Sequence, residues 1–257
     1  LQFNPILGDQ DQNIKKISSL ITSDIKTDIL VLPELCNSGY NFENRDQAVS
    51  MAEETKNSIF IDFLVSVAKD HNMFIVSGFN ELDQDKLYNT SVLVGSNGIL
   101  GKYRKVHLFM NEPDIFERGN LGFPVYDLGF CKIGMLICFD WMYPEAWRIL
   151  ALQGADVICH PSNLVLPFAQ QSVPVHGLIN RTYNITANRT GTERGIKFTG
   201  QSIISNPEGR IIKKASAESD EILFAQLDIS LARNKMVTPR NHAFEDRHPF
   251  IYTPLVQ

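Results

Sequence analysis

Cysteine is scarce: four in 257 residues, at Cys36, Cys131, Cys138 and Cys159, with no C-x-x-C pair. So few thiols in so long a chain argue against a disulfide framework and for a reducing compartment, expected to be the cytoplasm. They also argue against a structural metal: Cys159 and His160 are adjacent, too close for the usual ligand spacing, and the six histidines are scattered. Nothing calls for a metal or a cofactor. No Lys/Arg tract is present, the net charge is −5 and the isoelectric point is near 5.7. A nucleic-acid partner is therefore not expected. Nor is a membrane, since no apolar run approaches the roughly 20 residues of a spanning helix. Leu1-Gln2-Phe3-Asn4-Pro5 lacks the basic region and apolar core of a signal peptide. Because Leu1 is not Met and opens what reads as a strand, a few residues are expected before it. Repeats, low-complexity tracts and linkers are missing as well.

What is present is ordinary globular material, 44% hydrophobic and 21% charged, enough for one large domain over residues 1–257. Short apolar runs predict strands at 29–32, 74–78, 91–94, 124–128, 132–137, 156–159, 183–187, 201–205, 211–213 and 222–227. Amphipathic spacing predicts helices at 13–23, 58–69, 143–153 and 175–182. Gly95-Ser96-Asn97-Gly98 and Asn206-Pro207-Glu208-Gly209 read as turns. Strands alternating with helices, then hairpins, give an α/β layered fold. The segment 231–257 is rich in Arg, Asn, His and Pro; it is expected to pack as a tail on the domain or on a partner subunit.

Three residues suggest chemistry. Cys138 ends the run Lys132 to Ile137 just before a helix-like stretch. A thiol at that junction faces free N–H groups, which are expected to lower its pKa and favour the nucleophilic thiolate. Glu34 follows Val31-Leu32-Pro33, where α/β folds place active-site groups beyond a strand end. Lys105 lies in a basic run whose bland reading is a solvated face. Its neighbours Tyr103, Val106, Leu108 and Phe109 are apolar, however, and a lysine held among them needs a partner such as Glu34. Nucleophile, base and positive group are what acyl transfer from an amide or nitrile requires.

These segments strongly resemble the nitrilase superfamily of carbon–nitrogen hydrolases. The glutamate motif is Leu32-Pro33-Glu34-Leu35 with Ser38-Gly39-Tyr40. The lysine motif is Lys102 to Leu108, and the cysteine motif runs from Gly134 through Cys138-Phe139-Asp140 to Tyr143-Pro144-Glu145. His160-Pro161-Ser162-Asn163, Ala187 to Gly191 and Gly200 to Ile204 follow in family order. The resemblance implies a four-layer αββα sandwich and a homodimer or larger even oligomer, often using C-terminal segments at the interface. It implies Glu34 as general base, Lys105 as stabiliser of the tetrahedral intermediate and Cys138 as nucleophile. It implies Glu112 as a second, positioning glutamate, with Glu117 a competitor, and the Phe139 N–H as an oxyanion donor.

Tyr40, Trp141 and Asn163 are candidate pocket walls. His107 reads as packed or hydrogen-bonded, Asp140 as a helix-start cap, and Arg148 as a partner of carboxylates of the fold or of an interface. Nitrile-cleaving members often follow the cysteine with Trp-Glu; Phe139-Asp140 here resembles the amidase and carbamoylase branches. The expectation is a thiol hydrolase of small amides or N-carbamoyl compounds that releases ammonia. A nitrilase, an acyltransferase and a non-catalytic protein of the same fold are the alternatives. Arg181 and Arg189 are unplaced candidates for binding a substrate carboxylate.

Overall fold

The computed structural model describes residues 1–256; Gln257, at the end of the expected tail, lies outside them. In chain order the elements are α1 (Gln10–Leu20), β1 (Ile29–Val31), α2 (Arg45–Ser50), α3 (Ile59–His71), β2 (Phe74–Asp83), β3 (Lys86–Gly95), β4 (Gly98–Arg104), β5 (Val125–Asp127), β6 (Lys132–Met135), α4 (Pro144–Leu152) and β7 (Val157–Pro161). There follow α5 (Ala169–Asn180), β8 (Tyr183–Ala187), β9 (Thr192–Glu193), β10 (Ile196–Lys197), β11 (Ile203–Ser205), β12 (Ile211–Lys214), α6 (Ile229–Arg233), β13 (Met236–Thr238) and β14 (Asn241–His242). Short polar side chains open the outer helices: Asp9 accepts the Gln12 N–H before α1, and Ser58 accepts the Ile61 N–H before α3, both at 3.0 Å.

One sheet has the order β1-β2-β3-β4 and the other β12-β11-β8-β7-β6-β5. Alternation along the strands divides each into two apolar faces. Leu30, Ile75, Val92 and Val94 pack against Ile17, Phe60, Leu64 and Ala68 of α1 and α3. Val31, Val76, Leu93 and Tyr103 share the inner core with Ile133, Met135, Val157 and Cys159 of the second sheet. Trp147, Leu150 and Val173 of α4 and α5 join that core from the second sheet's outer side, where Gly134 lies against Leu150. The result is the four-layer αββα sandwich. β1 pairs parallel with β2, and β6, β7 and β8 are mutually parallel, so their C-terminal ends define common rims where loops can meet.

The outer edge of the first sheet is β4, and a tyrosine covers it. The Tyr126 hydroxyl accepts the Lys102 N–H at 3.0 Å and donates to the Lys102 carbonyl at 2.8 Å. The ring lies against Gly101, where an added Cβ would fall 2.1 Å from it.

Several elements depart from the sequence reading. β2 and β3 extend to ten residues each because Asn80, Glu81, Asn89 and Thr90, polar by letter, are buried and hydrogen-bonded. The basic run before Lys105, to which the sequence reading gave no element, ends strand β4. Arg104 donates to Glu81 through Nε and Nη2, each at 2.8 Å, and Lys102 pairs with the same carboxylate. The run 222–227 is not a strand: it joins neither sheet, and the pairing stops at an isolated bridge between Glu221 and Gln2. Helix α5 begins at Ala169 rather than Val175. Arg148 meets no carboxylate among the described residues; it donates to the Ile179 carbonyl at 2.9 Å and lies 5.2 Å from the Phe244 ring centre.

Candidate active site

Glu34, Lys105 and Cys138 leave the ends of β1, β4 and β6 and meet at one rim of the sandwich. Glu34 is held by the chain that precedes it: the Pro33 carbonyl accepts the Gly78 N–H at 3.0 Å. Gly78 is required there, because a Cβ would lie 2.3 Å from both the Glu34 Cα and the Leu35 nitrogen. Lys105 extends the β4 ladder by one bond, its N–H donating to the Asn89 carbonyl at 2.8 Å.

The side chains form a buried cluster. Lys105 Nζ donates to Glu34 Oε1 at 2.8 Å and to Glu112 Oε1 at 2.7 Å, with the three side chains 0%, 0% and 4% exposed. Asn89 Nδ2 donates to the same Glu34 oxygen at 2.7 Å. Glu34 Oε2 has no partner among the described residues. Glu112 is tied back by the Phe109 N–H, which donates to its Oε2 at 2.9 Å. Burial alone would depress the Lys105 ammonium; the charges of Glu112 and Glu34 outweigh it and hold the group well above the usual lysine range. Burial raises the Glu112 carboxyl to about 7, Lys105 opposing and Glu34 adding to the rise. The Tyr40 hydroxyl, hydrogen-bonded to Glu112, is pushed up by burial and by the same carboxylates.

Cys138 adopts φ +42°, a left-handed conformation uncommon for a residue with a side chain, at the turn from β6 into a short 3-10 segment. Two contacts hold it. His160 Nε2 donates to the Cys138 carbonyl at 2.8 Å, which fixes its tautomer and leaves Nδ1 to accept from Thr186 at 3.0 Å. Asp140 Oδ2 accepts the Ile137 N–H and the Tyr103 hydroxyl, each at 2.8 Å, and Oδ1 meets His107 Nδ1 at 2.7 Å. Asp140 therefore caps the turn, as expected, and also ties it to the lysine loop. His107 is stacked on Tyr143, ring centres 3.6 Å apart.

The expected acidity of Cys138 is not found. Burial raises its thiol well above the ordinary cysteine range, and Glu34 and Glu112 add to that; Lys105 and the nearby Asn163 main-chain N–H oppose it. Desolvation and two carboxylates outweigh one ammonium and the free N–H groups of a single turn.

A cleft of about 10 Å³, room for about one water molecule, opens over Cys138 between Phe109, Phe139, Trp141 and Asn163 to Leu166. A second, about 30 Å³, reaches Glu112 beside Tyr40. Larger hollows, such as the 670 Å³ depression around Ser96 to Lys102, lie on other residues and contain none of the cluster. The structure thus groups Glu34, Lys105, Glu112, Cys138, Asn163 and Tyr40, with Phe139 and Trp141 as walls. It leaves Glu117 half-exposed, 3.6 Å from Arg45. Arg189 is spent on Glu193, Asn4 and Pro5, and Arg181 on the Asn234 and Pro207 carbonyls. The sequence reading missed Asn89, Phe109 and the clamp by His160. For Asn89 the usable signal is an amide in the middle of Leu87-Tyr88-Asn89-Thr90-Ser91-Val92, a stretch too strand-like to belong to a loop.

An αββα sandwich with a glutamate, a lysine and a cysteine gathered at one rim is the architecture of a carbon–nitrogen hydrolase, and the family profile of that description matches residues 1–235. The chain belongs to this family, within the nitrilase superfamily. Among its relatives, a protein of Pyrococcus abyssi named nitrilase is 45% identical over 98% of this chain and 97% of its own. The N-carbamoylputrescine amidase of Arabidopsis thaliana is 30% identical over 89% of this chain and 84% of its own. The carbon–nitrogen hydrolase of Helicobacter pylori, 24% identical, shares the fold at a TM-score of 0.88 over 100% of this chain and 97% of its own.

Proposed function

We propose that the protein is a thiol hydrolase that cleaves the C–N bond of small amides, or of N-carbamoyl compounds, and releases ammonia. The observation that carries the reading is the Lys105 ammonium bridging Glu34 and Glu112 at 2.8 and 2.7 Å, with the Cys138 sulfur under the charge of all three.

The resting thiol keeps its proton, so attack requires a base. Glu34 Oε2, free of other bonds among the described residues, takes the sulfur's proton as the S–C bond forms. The carbonyl oxygen becomes an oxyanion; the Lys105 ammonium and the Phe139 N–H stabilise it. Glu34 passes the proton to nitrogen, the C–N bond breaks and ammonia leaves a thioester on Cys138. Glu34 then takes a proton from water, hydroxide adds to the thioester carbon, and the S–C bond breaks as the proton returns to sulfur. Glu112 and Tyr40 fix the position of Lys105. Cys138→Ala is expected to abolish ammonia release in a screen of small amides, N-carbamoyl compounds and nitriles, and to remove a single-site iodoacetamide adduct that mass spectrometry is expected to find in the wild type; full activity in this variant would end the proposal.

A nitrile substrate is the second reading, favoured by the name of the Pyrococcus relative. The four free, buried cysteines support a reducing compartment such as the cytoplasm. A homodimer is supported by the apolar side chains left exposed on α4 (Ile149, Leu152) and α5 (Val175, Leu178, Ile179), beside a tail whose Phe250 and Ile251 are also exposed.

A further inference from the structure

Asn163 is buried, 2% exposed, and lines the cleft over Cys138. Its orientation is set from two sides. Nδ2 donates to the backbone carbonyl of Glu34 at 3.1 Å, so a flipped amide would place oxygen against oxygen. Its main-chain N–H lies near enough to the Cys138 sulfur to favour the thiolate. Oδ1 is therefore an acceptor, and it has no hydrogen-bond partner among the described residues. Buried acceptors are rarely left without a donor, and one at the mouth of a reactive thiol is explained by a donor on the substrate. The buried cluster beside the cleft holds a second acceptor without a partner among the described residues, Glu34 Oε2.

Resting on the hydrolase reading above, we infer that Asn163 Oδ1 accepts a hydrogen bond from the scissile nitrogen of the substrate, which makes the protein selective for primary carboxamides. A primary amide carries one acceptor oxygen and two N–H donors on one nitrogen. The site offers the complement: Lys105 and the Phe139 N–H for the oxygen, Glu34 Oε2 and Asn163 Oδ1 for the two N–H groups. A nitrile nitrogen has a lone pair and no hydrogen, so it leaves Asn163 unpaired. An ester sets an oxygen lone pair against Oδ1. The contact also strengthens along the reaction, because the nitrogen gains a proton as the C–N bond breaks and its N–H groups become better donors. Apolar neighbours Phe109, Trp141 and Leu164 to Leu166 bring no charge to the cleft, which suits an uncharged acyl group.

The test compares an amide with the methyl ester of the same acid, the acyl group being the best one found for the wild type in an ammonia-release screen. Acid formation is the readout for both. Asn163→Leu is expected to lower the amide-to-ester ratio of kcat/KM by about 10- to 100-fold. Asn163→Ala, which removes the same oxygen with less bulk, is the second variant should leucine not fold. A residue that only supports the Glu34 loop would slow both substrates alike, so an unchanged ratio in the folded variant overturns the inference while the hydrolase reading stands. A wild type that turns over nitriles faster than the matched amides overturns it equally. A wild type that releases no ammonia from any compound removes the hydrolase reading and this inference together.

Discussion

At the residue scale the cluster is an electrostatic compromise. Lys105 faces two carboxylates, and one of them, Glu112, is raised to about 7 by burial. An acid whose pKa is raised on folding contributes stability that is complete below its unfolded value and is lost as pH climbs through the folded one. The stability of the wild type relative to Glu112→Gln is therefore expected to fall between the ordinary value of 4.5 and about 7 and to stay level above it. Denaturant melts of both proteins across that range check the sign; a difference independent of pH would contradict it. Glu34 and Cys138 stand out in the sequence because each follows a short apolar run at a strand end, and Lys105 because apolar Tyr103, Val106, Leu108 and Phe109 surround it within a basic run. The acidity of Cys138 is not legible there, since the helix-start motif is local and visible whereas the burial and the two opposing carboxylates come from segments about 30 and 100 residues away.

At the element scale, the site depends on how closely strands pass. β2 carries Gly78 directly beneath Glu34, with no room for a methyl group. Gly78→Ala is expected to push the Glu34 backbone away from Lys105, to lower stability by about 1–3 kcal/mol and to cut kcat by about 100-fold or more. Thermal melts and turnover of the same preparation measure both. Elements such as α3, with apolar residues at helical spacing, and β7, a short apolar run buried throughout, can be read from sequence. β4 could not, because Lys102 and Arg104 look like surface charges until Glu81 is known to lie under them. The run 222–227 shows the opposite failure: its composition is strand-like, but composition does not provide pairing, and the run joins no sheet.

At the scale of the whole molecule, two sheets bring their rims together so that Glu34 from one side and Cys138 from the other lie close; the Asn163-to-Glu34 bond at 3.1 Å spans them directly. The alternation of runs makes an α/β layered fold legible, while the four-layer order comes from the family resemblance. The assembly is not legible, since it depends on which faces stay apolar after folding. If α4 and α5 meet a second copy, Val175→Asp at a half-exposed site should leave the monomer folded and shift the mass measured by light scattering from twice that of the chain to that of one chain. The tail anchors on the domain through Arg233, 3.2 Å from Asp156, and Lys235, which donates to the Arg181 carbonyl at 2.8 Å.

The tyrosine lid on β4 bears on the fate of the protein when crowded with its own copies. An open strand margin is a template on which another polypeptide can crystallise, residue by residue, into a fibre. With one hydroxyl both giving and receiving at Lys102, the Tyr126 side chain imitates the incoming strand and ends the ladder after a single rung. The same phenol that seals two sheets from within thus discourages the sandwich from growing sideways.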